Sequence, residues 1–150
     1  FNGHTVGRID QIYSVAQHSC HVHDRLADEF PRSRSVRLWG LMHDAAEAYL
    51  PDVHSQMKDL MPGYREIEAA AENAIADHFG LPVLPKDKIK LVDLRMLATE
   101  RRDLMLFNKK SWSMLDGVDP YRMKLSLWGI DTAYSEFLWR YGECVRLPND

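Results

Sequence analysis

The sequence predicts an all-α protein, a compact bundle of about five to seven helices in one domain. Apolar residues recur at three- and four-residue steps along most of the chain, which is the spacing of one face of an α-helix. No stretch alternates between apolar and polar residues for long enough to predict a strand. Prolines and glycines mark the ends of the helical stretches, and no long polar linker divides residues 1–150.

Two helices are predicted in the N-terminal part of the chain. The first covers about residues 14–30, where a stripe of apolar and small residues has helical spacing and a proline follows. The second is expected to begin at a Ser35 cap and to stop at Pro51, which places His43 and Asp44 in the middle of a helix.

Three more helices are predicted after a proline-marked loop that has one possible helical turn around residues 56–60. Residues 64–79 are rich in alanine and glutamate, and Gly80 follows where a C-terminal cap belongs. A long helix is predicted over residues 88–107 and a final one over residues 131–145, with an irregular stretch between them. The inward residues of the final helix are predicted to be Ala133, Phe137, Leu138, Tyr141 and Val145.

The composition is that of an ordinary globular domain. The 150 residues are 45% hydrophobic and 27% charged, which excludes wholesale disorder. The 19 basic and 22 acidic residues give a net charge of −3, which argues against a nucleic acid or an anionic membrane as partner. No apolar run approaches the roughly 18 residues of a membrane helix, and no signal-peptide pattern opens the chain.

The cysteine content and the first residue support two further expectations. Cys20 and Cys144 are the two cysteines of the chain, too few for a disulfide framework. We therefore expect reduced thiols and a cytoplasmic protein. Because the sequence begins with Phe1 rather than methionine, we expect the natural start to lie upstream.

Histidine and aspartate residues lie beside the predicted inward faces of three helices. His18 falls in the first, His43 and Asp44 in the second, and Asp93 interrupts an apolar run in the fourth. A carboxylate is costly to bury unless it is paired or binds a metal. Two imidazoles and two carboxylates could therefore converge on one cation. This mixed donor set suits Mn²⁺, Co²⁺, Fe²⁺, Zn²⁺ or, less comfortably, Mg²⁺.

Spacing alone leaves a second interpretation open. A single buried histidine is more often a hydrogen-bonded core residue than a ligand, and Asp93 could pair with Arg95 or Arg102. Adjacent residues on an α-helix point about 100° apart. His43 and Asp44 would therefore both reach one ion only if it lay over the helix between them.

The order of these motifs resembles one known superfamily. The motifs are Val15-Ala-Gln-His18-Ser, Leu41-Met-His43-Asp44-Ala-Ala-Glu47-Ala-Tyr, then Asp52 and Lys58, then Val92-Asp93. Together they resemble the HD-domain metal-dependent phosphohydrolases, and within these the bacterial 5′-deoxynucleotidases and the phage-type (d)NTP and (d)NMP phosphohydrolases. The likeness implies an HD-domain helical bundle with one divalent metal ion per chain, a nucleotide substrate and a homodimer or higher homo-oligomer.

The resemblance also implies a role for each matching residue. The implied metal ligands are His18, His43, Asp44 and Asp93, and Asp44 counts among the catalytic residues with Glu47. Glu47 would move a proton to or from the attacking water or the leaving oxygen. Asp52 would bind the sugar hydroxyl. Lys58 would neutralise phosphate charge, although an ordinary surface lysine is an equal alternative, and Arg8 is a candidate phosphate contact.

Four other residues carry open alternatives. His21 is expected at the surface, or near the site because it lies three residues after His18. Glu100, two turns after the fourth ligand, could orient a basic residue near the site or form an ordinary ion pair with an arginine. His54 and His78 could hold a second metal, as in some oxygenases of the superfamily.

The function expected from the resemblance is hydrolysis of the 5′-phosphate ester of a (deoxy)nucleoside monophosphate by metal-activated water. One alternative is a triphosphohydrolase that acts on a deoxynucleoside triphosphate, such as dATP, and releases the deoxynucleoside and triphosphate. Another, from a different class, is an HD domain that binds a nucleotide as a sensor without turnover.

Overall fold

The computed structural model describes residues 12–51, 53, 55–82, 86–105 and 112–149. These residues form an all-α bundle without a strand, which confirms the predicted fold class. The five helices are α1 (Val15–Glu29), α2 (Arg34–Met42), α3 (Tyr64–Phe79), α4 (Lys86–Leu104) and α5 (Ile130–Arg146). Shorter pieces are the 3₁₀ turns Ala45–Ala48 and Ser113–Leu115 and the single α-helical turn Ser55–Lys58. None of the described helices combines the length and apolar character that crossing a membrane requires.

Helix α1 is the central element of the bundle and packs against α2, α4 and α5. It begins where the sequence predicts, because the Ser14 hydroxyl accepts a hydrogen bond from the Gln17 amide at 3.1 Å. Val22 and Leu26 of the predicted stripe are fully buried in the core. With these apolar residues in the core, α1 also buries several polar residues, among them His18.

The predicted bounds of the second helix are wrong at both ends. The cap is Ser33 rather than Ser35, since the Ser33 hydroxyl accepts a hydrogen bond from the Val36 amide at 3.3 Å. Helix α2 ends at Met42, and the chain tightens into the 3₁₀ turn Ala45–Ala48 well before Pro51. Two residues thus leave the regular helix, and these are His43 and Asp44.

Helices α1 and α2 approach each other closely at Gly40. A Cβ atom on Gly40 would lie 2.5 Å from Leu26 Cδ1 and 3.2 Å from His23 Cα. A larger residue at position 40 would displace the tip of the Leu26 side chain and press on the His23 backbone. The close approach brings the middle of α1 next to the end of α2.

Helix α3 follows its prediction and lies against the turn that ends α2. Gly63 and Gly80 flank it with φ angles of 82° and 60°, which glycine adopts without strain. α3 packs on the turn Ala45–Ala48. The Tyr64 hydroxyl donates a hydrogen bond to the Pro51 carbonyl at 2.6 Å, which ties the loop after α2 to α3.

Helix α4 starts two residues before its predicted start, and its last helical residue is Leu104 instead of the predicted residue 107. The irregular stretch after it is held by side chains rather than by a ladder of backbone bonds. Gln17 is fully buried, donates to the Ser126 carbonyl at 2.7 Å and accepts from the Trp128 amide at 3.0 Å. This stretch contains one 3₁₀ turn and otherwise confirms the prediction of irregular structure.

The predicted inward face of the last helix is only partly right. Ala133 is buried, but Leu138 and Val145 are 47% and 44% exposed. Arg140 and Cys144 are buried instead. The reason is polar: carboxylate and imidazole partners on α1 turn this face of α5 inward, as described below.

Candidate metal centre

Three elements bring together the histidine and aspartate residues that the sequence singled out. His18 is fully buried in the first turn of α1, His43 follows α2, and Asp93 lies within α4. One ligand atom from each lies within 4.8 Å of the others. His18 Nε2 is 3.2 Å from His43 Nε2 and 3.4 Å from Asp93 Oδ1.

Asp44 borders this group of three, although it is not part of the set whose ligand atoms all lie within 4.8 Å of one another. Its Oδ2 atom lies 3.6 Å from His18 Nε2 and 3.4 Å from His43 Nε2. His43 keeps a right-handed helical backbone with φ −60° and ψ −31°, and the chain departs from the helix at Asp44 with φ −104° and ψ 15°. We call His18, His43, Asp44 and Asp93 the metal cluster.

The hydrogen bonds of the two imidazoles fix which ring nitrogens face inward. His43 Nδ1 is 2.9 Å from the Gly40 carbonyl, and a carbonyl only accepts, so Nδ1 carries the hydrogen. His18 Nδ1 is 2.7 Å from the Glu100 carboxylate, which gives the same assignment. The two Nε2 atoms then face each other beside two carboxylate oxygens, where either a proton or a metal ion can lie between them.

This donor set fits a divalent metal ion. Four electron-pair donors without a hydrogen between them repel one another unless a cation or a proton lies between them. Two ligands each about 2.1 Å from one ion are about 3.0 Å apart at right angles and about 3.4 Å apart in a tetrahedron. The observed contacts of 3.2–3.6 Å match this range. Imidazole and carboxylate together suit several first-row metals and do not select one.

Electrostatics at the cluster favours a cation as well. Burial opposes a charge on His18, but Glu100, Asp93 and Asp44 outweigh it and raise the pKa of His18 well above its usual value. Burial likewise opposes charge on Asp93, yet the hydrogen bond and charge of His18 hold the pKa of Asp93 well below its usual range. A proton and a metal ion therefore compete for His18 Nε2, and metal affinity should fall as the pH falls.

Behind His18 lies a buried carboxyl that belongs to Glu100. It is 2% exposed, and its Oε1 atom accepts a hydrogen bond from the Tyr13 hydroxyl at 2.6 Å as well as from His18. Two alternatives were predicted for Glu100, and this contact corresponds to the first: Glu100 orients a basic residue near the site, which is His18. Burial first, and then the Glu100 charge, raise the pKa of Tyr13. Tyr13 was missed because it precedes α1, where no helical spacing assigns it to a face.

The predicted proton carrier, Glu47, lies in the 3₁₀ turn that follows the cluster. It is partly buried, and its amide donates to the Asp44 carbonyl at 3.0 Å. Residues three apart eclipse each other in a 3₁₀ helix, so Glu47 stands one turn beyond Asp44. Its role in proton transfer stays a prediction.

The predicted substrate contacts are placed only in part. Lys58 forms an ion pair with Glu68 on α3 and lies 5.8 Å from the centre of the Tyr64 ring. Arg8 and Asp52 lie outside the described residues, as does His54. His78, the other proposed ligand for a second metal, is exposed and packs edge-on against Phe79.

A lysine that sequence reasoning missed lies at the open side of the cluster. Lys90 Nζ is 3.2 Å from Asp93 Oδ2, and the Lys90 side chain is 61% exposed. The signal was its position three residues before Asp93 on one helix face. The cluster opens to solvent on this side, since Asp44 and Asp93 are 25% and 22% exposed while His18 is fully buried.

His21 is buried, so its predicted surface position is wrong. Its ring packs against Trp128 with 4.9 Å between centroids, and its Nε2 lies 3.3 Å from Gln17 Nε2. Burial lowers the pKa of His21 to about 4. The ring is therefore neutral near pH 7 and serves as a packed core residue.

A second buried polar group, which we call the His23 cluster, consists of His23, Asp24, Arg140 and Cys144. His23 Nδ1 lies 3.1 Å from Asp24 Oδ1, and His23 Nε2 lies 3.4 Å from Cys144 Sγ. Arg140 donates two hydrogen bonds to Asp24, at 2.7 and 2.8 Å. Cys144 is a free thiol, as is the buried Cys20. These contacts explain why Arg140 and Cys144 face inward on α5.

Comparison with known proteins places the whole chain. No family model matches it. It is 34% identical over 142 residues to the uncharacterized protein YfdR of Escherichia coli (strain K12), a match that covers 94% of the chain and 76% of the relative. The chain belongs to the YfdR family. Because the match with YfdR takes in nearly the entire chain, the relation concerns the bundle as a unit rather than one motif.

Proposed function

We propose that this member of the YfdR family is an HD-type, metal-dependent phosphohydrolase that cleaves the 5′-phosphate ester of a (deoxy)nucleoside monophosphate. The observation that supports this most strongly is the metal cluster, with two imidazole lone pairs and two carboxylates around one point. The order of these residues along the chain, a histidine, then His43-Asp44, then an aspartate, is the order in the HD phosphohydrolases that the sequence resembles.

The residues around the cluster suit hydrolysis. A bound divalent ion polarises phosphoryl oxygens and lowers the pKa of water. The solvent-exposed side, formed by Asp44 and Asp93, admits the substrate phosphate. Glu47 takes the proton of the attacking water or delivers it to the leaving 5′-oxygen of the nucleoside. His18, fully buried, holds the closed side of the site.

The charges at the open side favour a monophosphate over a triphosphate. Lys90 stands beside Asp93 and can neutralise one phosphate oxygen. Lys58 is already paired with Glu68. Burial, Glu68 and Asp44 raise the pKa of Glu72, while Lys86 and Lys58 lower it, so charges of both signs act on this part of α3. A triphosphate needs several free cations, whereas this region mixes lysines with carboxylates.

A product screen tests the proposal. The protein, loaded with Mn²⁺ or Co²⁺, is incubated with the mono- and triphosphates of the four deoxynucleosides and of the ribonucleosides. We expect nucleoside and inorganic phosphate from at least one monophosphate. Release of triphosphate from a dNTP would instead establish the triphosphohydrolase, and calorimetric binding of a nucleotide without any product would establish the sensor.

Two variants separate the metal from the proton carrier. Asp44→Ala should lose both bound metal, measured by elemental analysis, and turnover. Glu47→Ala should keep the metal and lose about 10²- to 10⁴-fold in rate, the usual contribution of general acid–base catalysis. Glu66→Ala, an exposed glutamate on α3, is the matched control and should change neither. A full rate in Glu47→Ala would remove Glu47 from the mechanism.

A further inference from the structure

Glu100 is a buried carboxyl that the ligand set does not use. Its Oε1 atom receives two hydrogen bonds, from Tyr13 and from His18. Its Oε2 atom is buried and has no hydrogen-bond partner within the described part of the chain. A carboxylate in this state is costly to keep in a core, so its presence calls for a use other than packing.

We propose that Glu100 is a positioning residue for the metal, and that Tyr13 in turn positions Glu100. This inference rests on the metal site of the proposed function. His18 reaches the centre of the cluster only through Nε2, and this atom points there as long as Nδ1–H is bound behind it. Removal of the acceptor frees the imidazole to rotate or to move its hydrogen to Nε2. Loss of such an outer partner costs 10–100-fold in metal affinity in other metal sites.

The two histidines of the cluster are oriented in different ways. His43 binds a carbonyl of its own helix, Gly40, three residues back. His18 depends on a side chain 82 residues away in sequence, on α4. The same helix supplies Asp93 two turns earlier on the same face. Docking of α4 on α1 therefore supplies a ligand and the support of another ligand together.

Tyr13 completes this arrangement from the other side. Its ring is 1% exposed, and its hydroxyl donates to the same oxygen that accepts from His18. Two donors on one oxygen hold the carboxyl plane in place from two directions. Tyr13→Phe removes one of them and leaves the His18 contact, so we expect a smaller loss of metal affinity than from removing the carboxyl.

Metal affinity and spectra test the proposal without an activity assay. Metal-free protein is titrated with Co²⁺ by calorimetry, and the visible absorption of bound Co²⁺ is recorded. Glu100→Leu should bind Co²⁺ 10–100-fold more weakly with an altered spectrum. Glu100→Gln keeps a carbonyl oxygen that can accept both hydrogen bonds, and it should restore most of the affinity and the spectrum.

Thr99→Val is the matched control. Thr99 neighbours Glu100 on α4, is fully buried and binds the Arg95 carbonyl and the Tyr121 amide, but not the metal cluster. If loosened packing of α4 were the cause, Thr99→Val would weaken Co²⁺ binding as much as Glu100→Leu does, and the positioning role would be wrong. Wild-type affinity and spectrum in folded Glu100→Leu would overturn it equally.

The remaining outcomes also decide between the two proposals. If Glu100→Leu does not fold, Glu100→Gln and Tyr13→Phe carry the test. Two results together would then overturn the proposal: a Co²⁺ affinity of Tyr13→Phe equal to that of the wild type, and a Co²⁺ affinity of Glu100→Gln below that of Thr99→Val. Wild-type protein that binds Co²⁺ but releases no product from any nucleotide would end the proposed phosphohydrolase function alone. Wild-type protein that binds no divalent metal would end both.

Discussion

The metal cluster and the His23 cluster contain the same pair of groups, a buried histidine of α1 whose Nδ1 is bound to a carboxylate. They differ at the other ring nitrogen. His23 Nε2 faces the Cys144 thiol, which has a hydrogen to donate, whereas His18 Nε2 faces another imidazole lone pair. The partner of the second nitrogen, and not burial, thus separates a structural histidine from a candidate ligand.

The carboxylates of the two clusters differ in the same sense. Asp24 is neutralised by the two hydrogen bonds of Arg140, and despite burial its partners His23 and Arg140 hold its pKa well below its usual range. Among the described residues, no cation forms a hydrogen bond with Glu100 Oε2. One cluster is complete within the chain, whereas three residues of the other, His18, His43 and Asp93, could hold an ion.

The largest expected effect concerns the reactivity of the thiols. If the His23 cluster is only structural, it does not activate the Cys144 thiol as a nucleophilic triad would. Burial raises the pKa of Cys20 from 9.0 to about 12 and also raises the pKa of Cys144. A rise of this size lowers the thiolate fraction about 1,000-fold near neutral pH. Ellman's reagent should therefore label native Cys20 about 1,000-fold more slowly than the denatured chain, and it should label native Cys144 more slowly as well. Rapid labelling of native Cys144, seen against a Cys20→Ala background, would erase the difference between the clusters.

The next largest effect is expected when the His23 cluster loses its arginine. Arg140→Met leaves Asp24 without its cation, and we expect a loss of about 3 kcal/mol in the free energy of unfolding of the metal-free protein. Urea denaturation measures it. Arg146→Met, an exposed cation on the same helix, should cost less than about 1 kcal/mol.

The metal separates the two clusters in the same experiment. At a free metal concentration 100 times the Kd, binding should add about 2.7 kcal/mol to the free energy of unfolding. Arg140→Met should keep this increment, whereas His43→Ala should lose it. An increment that Arg140→Met abolished would show that the ion depends on the His23 cluster instead.

The smallest expected effect concerns His21, a third histidine of α1 that belongs to neither cluster. Its pKa is about 4 in the folded protein and near 6.5 in the unfolded chain, so below pH 6.5 the unfolded chain binds more protons. Stability should therefore fall by about 2 kcal/mol between pH 7 and pH 5 because of this one group. His21→Gln should remove that part of the pH dependence, as urea midpoints of the two metal-free proteins would show. An identical pH dependence in both would contradict the neutral, buried state of His21.

Local signals in the sequence were sufficient for most of the helices. Ser14 caps the start of α1 and Gly80 caps the end of α3 through contacts within a few residues, so these helix ends can be predicted without knowledge of the fold. The end of α2 could not be predicted in this way, because the residues after Met42 favour a helix locally. Only the packing of α3 on the turn Ala45–Ala48 places the chain there.

The same division holds for the site. Residue type and order pick out the four members of the metal cluster, since carboxylates and histidines stand out on apolar faces. Glu100 was ambiguous and Tyr13 invisible, because their meaning depends on a contact between α1 and α4 across more than 80 residues. Arg140 was not among the predicted inward residues for the same reason, as its partner lies on α1.

Gly40 gives the metal cluster a property that none of the four donor residues has. Its missing side chain lets α2 lie against Leu26 and His23, and its carbonyl aims His43. The distance between the two imidazoles therefore depends on how closely α2 packs on the Leu26 side chain and the His23 backbone of α1. Preference among ions of different radius is then a matter of helix spacing, and an attempt to retune it toward larger cations should begin at position 40.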